Sequence, residues 1–96
     1  MITLVRTCYA CPEQYNALDK KGKTVGYLRL RHGTFTVECP DVGGELVYVE
    51  KLDEYDTGIF SDEEREKYLE QAVKAIGHHM GYSSVTYRVV DEWDDD

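Results

Sequence analysis

The stretch that decides the fold is Lys23–Cys39, KTVGYLRLRHGTFTVEC, in which two runs of alternating apolar and polar residues flank His32 and Gly33. Glycine accepts the positive φ that a tight turn requires, and histidine is among the non-glycine residues enriched in that conformation. The sequence therefore predicts a β-hairpin with a two-residue turn at His32-Gly33. The pairs predicted across it are Arg31–Thr34, Leu30–Phe35, Arg29–Thr36, Leu28–Val37 and Tyr27–Glu38.

This register sorts the hairpin side chains into two faces. The apolar face carries Leu28, Leu30, Phe35 and Val37, and the polar face carries Tyr27, Arg29, Arg31, Thr34, Thr36 and Glu38. A slip of one residue would mix the two sets, so the pattern specifies its own register. The apolar face needs a second element to cover it.

A helix after Phe60 can supply that cover. Ser61 followed by Glu64 forms a capping box, which marks the start of a helix, and Gly81 is a typical residue to end one. Between them, apolar residues recur at steps of three and four and predict one buried stripe, made of Leu69, Ala72, Val73, Ile76 and Met80.

Four further segments read as strands: Ile2–Cys8, Glu13–Leu18, Glu45–Leu52 and Ser83–Val90. Because Glu45–Leu52 is apolar on both sides, we expect it in a central or well covered position. The predicted fold class is α+β, an antiparallel β-sheet of five or six strands curled over one C-terminal amphipathic helix, in the order βββββαβ. Residues 1–90 form a single domain and 91–96 an acidic tail, while the last strand could join either edge of the sheet.

The charge is strongly asymmetric along the chain. The net charge of −8 combines six Lys and Arg against two acids up to Val37 with five against seventeen after it. Such an acidic second half repels a nucleic-acid backbone, so we expect no direct nucleic-acid binding. No apolar run approaches the roughly 20 residues of a membrane span, and no secretory signal pattern is visible, which predicts an intracellular protein without membrane contact.

The three cysteines allow a zinc hypothesis. Cys8-x-x-Cys11, Cys39 and His78 together contain the ligand types of a Cys₃His site, and such a site would make the chain a zinc-stabilised structural module. The alternative is that Cys39 and Cys8 are small buried hydrophobic residues. An odd number of cysteines argues against a disulfide framework. No other cofactor is indicated.

Catalytic motifs are missing from the sequence. There is no G-x-S-x-G nucleophile motif and no phosphate-binding glycine loop between a strand and a helix. One of the three serines, Ser61, is engaged as the helix cap, and turn and helix-end chemistry explains the histidines. We therefore expect a protein that is not an enzyme.

Two surfaces have the chemistry of binding sites. On the polar hairpin face, Tyr27, Arg29, Arg31 and Thr36 combine guanidinium groups with a ring and a hydroxyl, which suits a nucleotide or an acidic protein patch. The second surface is acidic and comprises Asp53, Glu54, Asp56, Asp62, Glu63, Glu66 and Glu70. Spaced carboxylates can imitate a phosphate backbone and fit a basic groove. For both surfaces the alternative is an ordinary solvated face.

The run GYLRLRHGTFTVECPDVGGELVY (26–48), with CYACPEQYNALD (8–19) before it and FSDEEREKYLEQAVKAI (60–76) after it, resembles small proteins from phages and prophages of Gram-positive bacteria. The resemblance carries no catalytic motif. It implies an accessory or anti-defence protein acting in the cytoplasm of an infected bacterial host.

Two functions follow as hypotheses. The first is a non-enzymatic, anti-CRISPR-like protein that inhibits a host defence system by occupying a basic, nucleic-acid-binding host protein with its acidic surface. The second is a homo-oligomeric small-molecule binder that sequesters a cyclic or phosphorylated nucleotide immune signal through Tyr27, Arg29 and Arg31. In such an oligomer the basic and acidic halves of neighbouring protomers could pair.

Overall fold

The computed structural model describes residues 1–8, 12–52 and 59–91. Its elements follow the predicted order βββββαβ, and the chain has an α+β fold. They are β1 (Ile2–Cys8), β2 (Glu13–Leu18), β3 (Thr24–Arg31), β4 (Thr34–Cys39), β5 (Glu45–Lys51), α1 (Asp62–Met80) and β6 (Tyr87–Asp91). No helix in these three ranges is long and apolar enough to cross a membrane.

The sheet has six strands in the order β5-β4-β3-β2-β1-β6 and curls over the helix. Neighbours from β1 to β5 are antiparallel, but β6 joins the free edge of β1 in parallel. The sheet is therefore mixed rather than wholly antiparallel. The reason is the crossover: α1 carries the chain back across the sheet, so β6 runs in the same direction as β5, which is also the direction of β1.

The β3–β4 hairpin has the predicted register at all five pairs. His32 and Gly33 both have positive φ, 53° and 73°, as a two-residue turn of type I′ requires. The apolar face of the hairpin is completely buried, with Leu28, Leu30, Phe35 and Val37 each 0% exposed.

Helix α1 begins at a capping box and covers this apolar face. The Ser61 hydroxyl accepts a hydrogen bond from the Glu64 backbone N–H, and the Glu64 carboxylate accepts one from the Ser61 N–H. The predicted stripe is buried at Leu69, Ala72, Val73 and Ile76. Met80 is a correction, because its side chain is 39% exposed. It lies in the last turn, beyond the last apolar side chain that reaches the core.

Strand β5 is at the edge of the sheet, so the prediction of a central or well covered position is wrong. Leu46 and Val49 are 54% and 52% exposed. A bulge explains the pattern: Val37 pairs with Tyr48 and Glu38 with Leu46, which leaves Val47 between two registers. Val47 and Tyr48 are adjacent in sequence, yet both pack against the core. The sequence of β5 therefore looks apolar on both faces, although the strand is at the edge of the sheet.

The last strand is shorter than predicted. It begins at Tyr87, where the parallel pairing with Ile2 of β1 begins, and not at Ser83. Val85 lies in the loop before β6 and still packs against the core, but Val89 is 44% exposed. Of the predicted acidic tail only Asp91, the last residue of β6, is among the described residues.

Candidate binding surfaces

The face of the sheet that α1 does not cover carries the predicted hairpin residues. We call Tyr27, Arg29, Arg31 and Thr36 the arginine face; they alternate with fully buried neighbours in β3 and β4 and therefore point away from the helix. Arg29 lies between Gln14 of β2 and Thr36 of β4. The structure thus brings the four residues together on two adjacent strands.

Local hydrogen bonds order this face. The Tyr27 hydroxyl donates to the Gln14 side-chain oxygen at 2.9 Å, and Arg31 Nε donates to His32 Nε2 at 3.1 Å. Two further cations share the face at its ends, because Lys51 is paired with Thr34 and Arg88 with Thr3. The surface can attract anions, and the cavity described below is lined by other residues.

Four of the seven predicted acidic residues lie on α1, and we call Asp62, Glu63, Glu66 and Glu70 the acidic flank. All four are exposed. Asp62 accepts a hydrogen bond from Arg65 at 2.8 Å, and Glu70 is paired with Lys74 at 3.5 Å. Asp53, Glu54 and Asp56 lie outside the described residues.

Two members of the acidic flank, Glu66 and Glu70, lie near β6. The pKa of Tyr87 is raised, first by its burial and then by the negative charges of Glu70 and Glu66. Since α1 packs on the opposite side of the sheet from the arginine face, the two charged surfaces lie on opposite sides of the molecule.

The proposed zinc ligands do not assemble in the part of the chain that the structure describes. Cys39 is 1% exposed within the core, where burial, followed by the charge of Glu45, raises the pKa of its thiol to about 11. Cys8 is half-buried at the end of β1, and His78 is exposed in the last turn of α1. Across residues 1–8, 12–52 and 59–91 no three His, Cys, Asp or Glu residues are grouped as a metal site requires. Cys11 lies outside these ranges.

The sequence prediction missed a buried ionic cluster around Glu13. The carboxylate of Glu13 is 0% exposed. It accepts hydrogen bonds from Arg65 Nε at 2.9 Å, from the Phe60 N–H at 3.0 Å and from the Tyr15 hydroxyl at 2.5 Å, and Arg6 is paired with it at 3.5 Å. The cluster therefore connects β1, β2 and the start of α1.

The cluster perturbs its members in a consistent way. Burial and the hydrogen bond to Glu13 raise the pKa of Tyr15, so its hydroxyl stays protonated and donates. The same carboxylate raises the pKa of Arg65 through its hydrogen bond. One sequence signal was available. Because side chains alternate along a strand, Glu13 lies on the same face of β2 as Tyr15 and Ala17. A carboxylate on that buried face requires a cation from another element.

Comparison of the chain with protein-family models, with curated proteins and with solved structures found no match. Function has to be argued from the surfaces themselves. Two of them, the arginine face and the acidic flank, are accessible, whereas the Glu13 cluster is enclosed.

Proposed function

We propose that this chain is a non-enzymatic binding protein that occupies a basic, nucleic-acid-binding host defence protein with its acidic flank. One observation carries the proposal: the four carboxylates of the flank are all exposed along one helix. From Asp62 to Glu70 they extend over about 12 Å at the helical rise of 1.5 Å per residue.

Electrostatics supports this role in two ways. A row of carboxylates on a rigid helix presents a negative field, which a groove built for phosphates attracts. The net charge of −8 adds long-range steering toward a basic partner. The resemblance to phage proteins supplies the setting, in which the partner belongs to the defence system of the bacterial host.

The test uses the tagged chain to recover partners from host lysate. Partners are recovered at about 50 mM and about 200 mM salt, and the recovered protein is then challenged with duplex DNA. Mimicry predicts a nucleic-acid-binding partner that DNA displaces and salt weakens. Recovery of a partner that neither DNA nor the higher salt releases would contradict the proposal.

A charge-matched pair of variants locates the surface. Glu66→Gln with Glu70→Gln removes two charges from the acidic flank. Each exposed ion pair with the partner contributes up to about 1 kcal/mol, so the double variant should weaken binding about tenfold. The control, Asp41→Asn with Glu45→Gln, removes two exposed charges elsewhere and should leave affinity unchanged. Equal effects of both variants would show that net charge alone drives association.

A second candidate function rests on the arginine face. Because α1 packs on the other side of the sheet, Arg29 and Arg31 lie, with Tyr27 beside them, on a face that no described helix or strand covers. Such a face can take up a cyclic or phosphorylated nucleotide when a second subunit closes over it. Calorimetry with a nucleotide panel and Arg29→Ala with Arg31→Ala tests this function; a monomer that gives no heat with any nucleotide contradicts it.

A further inference from the structure

A cavity of about 360 Å³ opens between the β2–β3 turn and the loop that leads from α1 to β6. Lys20 and Lys21 contribute from the turn, and Tyr82, Ser83 and Ser84 from the loop. The buried side chain of Ile2 and the half-buried Val85 provide its apolar part. We call it the lysine–serine pocket; it shares no residue with the arginine face or the acidic flank.

The polar groups of this pocket suit an anion. Ammonium groups bind phosphate as point charges, and serine hydroxyls can donate to its oxygens. Lys20 and Lys21 are exposed, and neither side chain forms an ion pair with any residue that the structure describes. In a chain with net charge −8, two adjacent lysines that form no ion pair within residues 1–8, 12–52 and 59–91 are available for an external anion.

The one carboxylate that also lines the pocket is already engaged. Asp19 Oδ1 accepts hydrogen bonds from the Lys21 and Lys23 N–H groups, each at 2.9 Å. These bonds, that of Lys23 first, lower the pKa of Asp19. Asp19 therefore fixes the turn and holds the two lysines at the rim of the pocket.

At the nearby end of α1, two of the last carbonyls are capped. The Tyr82 N–H donates to the Gly77 carbonyl at 2.8 Å and the Gly81 N–H donates to the His78 carbonyl at 3.2 Å. This capping satisfies two of the four carbonyl groups at the negative end of the helix dipole, so that they do not need a partner from the pocket.

Tyr82 adds an aromatic surface to the pocket. Its side chain is 39% exposed, so one part of the ring is open to a ligand. The cavity volume of about 360 Å³ is near the lower end of the range of about 300–1,000 Å³ that is typical of ligand pockets, which suits one nucleotide.

The geometry points to a binding site for a phosphate ester of mononucleotide size in the lysine–serine pocket. Lys20, Lys21 and the two serine hydroxyls bind the phosphate, and the base stacks on Tyr82. This site is independent of the proposed occupation of a host protein, since it lies on neither of the surfaces that carry that proposal.

Titration calorimetry with AMP and with inorganic phosphate, at low salt, tests the site. We expect both to bind, and Lys20→Gln with Lys21→Gln to weaken both about tenfold or more. Tyr82→Leu should weaken AMP and leave phosphate unchanged. The control, Lys67→Gln with Lys74→Gln, removes two positive charges from α1 instead. This variant should bind both ligands as the unmodified chain does.

Three results would overturn the inference. One is the absence of heat with both ligands. Another is binding that Lys20→Gln with Lys21→Gln leaves intact but Arg29→Gln with Arg31→Gln abolishes, which would place the ligand on the arginine face. The third is AMP binding that Tyr82→Leu does not change, which would show that the base does not stack on Tyr82.

Discussion

Glu13 carries a carboxylate that is fully buried within the part of the chain that the structure describes. Moving a carboxylate from water into the core costs several kcal/mol, and the four partners around Glu13 offset that cost. Glu13→Gln removes the charge that Arg6 and Arg65 surround while keeping the shape. We expect the free energy of unfolding to fall by about 3 kcal/mol or more, as measured by urea denaturation.

A matched variant on the surface isolates the effect of burial. Glu63 is exposed on the acidic flank, so Glu63→Gln should change stability by no more than about 0.5 kcal/mol. If Glu13→Gln were as mild as Glu63→Gln, the cluster would contribute no net stability. Tyr15→Phe provides an intermediate case, with a loss of about 1.5–3 kcal/mol for one hydrogen bond to a charged acceptor.

The buried thiol of Cys39 makes stability depend on alkaline pH. Its pKa is about 11 in the folded chain against an ordinary value of 9.0, with burial as the first cause. The contribution of the protonated thiol to the free energy of unfolding is fully present below pH 9.0. It is lost as the pH rises from 9.0 to about 11, because the thiol of the unfolded chain ionises first. The loss should amount to about 2–3 kcal/mol, at 1.36 kcal/mol per pKa unit.

The measurement compares two variants across that range of pH. Cys8→Ala with Cys11→Ala leaves Cys39 as the only thiol, and adding Cys39→Ala removes it. Urea denaturation at several values from pH 8 to pH 11 should show a steeper fall of stability when Cys39 is present. Parallel curves would mean that the Cys39 thiol ionises equally in the folded and unfolded chain.

At the scale of elements, the approach of α1 to the loop before β6 depends on Gly77. A Cβ at this position would overlap the Cγ2 methyl group of Val85. Alanine is favoured over glycine in a helix by about 1 kcal/mol, but overpacking costs about 1–3 kcal/mol. We therefore expect Gly77→Ala to lower the thermal unfolding midpoint despite its better helix propensity.

Removing the methyl groups of Val85 should reverse the sign of the change in unfolding midpoint that Gly77→Ala causes. In a Val85→Ala background the space beside residue 77 is open, and Gly77→Ala should then raise the midpoint. A double-mutant cycle measures this coupling directly. A stabilising Gly77→Ala in the unmodified chain would show that the loop moves away at no cost.

The elements that the sequence predicts well are those specified locally. The His32-Gly33 turn and the alternation on either side of it define the hairpin register, and Ser61 with Glu64 defines the start of α1. Neither signal depends on residues far along the chain. The arginine face follows from the same alternation, which is why the sequence places Arg29 and Arg31 on one face of the hairpin.

What the sequence does not predict depends on distant segments. The bulge at Val47 is a property of the β4–β5 pair, and it makes an edge strand resemble a covered one. The Glu13 cluster requires Arg65, which is distant in sequence and reaches Glu13 only because α1 starts beside β2. The lysine–serine pocket likewise joins the β2–β3 turn to the loop before β6.

For the whole molecule, the β5–α1–β6 crossover separates the two charged surfaces. It places α1 on the side of the sheet opposite the arginine face, and it returns the chain to the free edge of β1. A partner can thus reach the acidic flank while an anion occupies the arginine face. The arrangement makes the two proposed functions compatible and separately testable.

Strand order also predicts how stability is distributed over the molecule. β3 lies inside the sheet, with pairs to both β2 and β4, whereas the five-residue β6 pairs with β1 at the edge of the sheet as far as the structure describes it. Interior strands open only with global unfolding, while edge segments open locally at lower free energy. Amides of β3 should therefore exchange at the global free energy, about 5–15 kcal/mol for a domain, and those of β6 well below it.

Native-state hydrogen exchange followed by NMR measures this difference amide by amide. The informative comparison is between Leu28 in β3 and Val90 in β6, with rising urea to distinguish global from local opening. Exchange of Leu28 should accelerate with the full urea dependence of unfolding, and that of Val90 should depend on urea only weakly. Equal urea dependence would mean that β6 unfolds only together with the core, so that the crossover strand, although at the edge, belongs to the same cooperative unit as the hairpin.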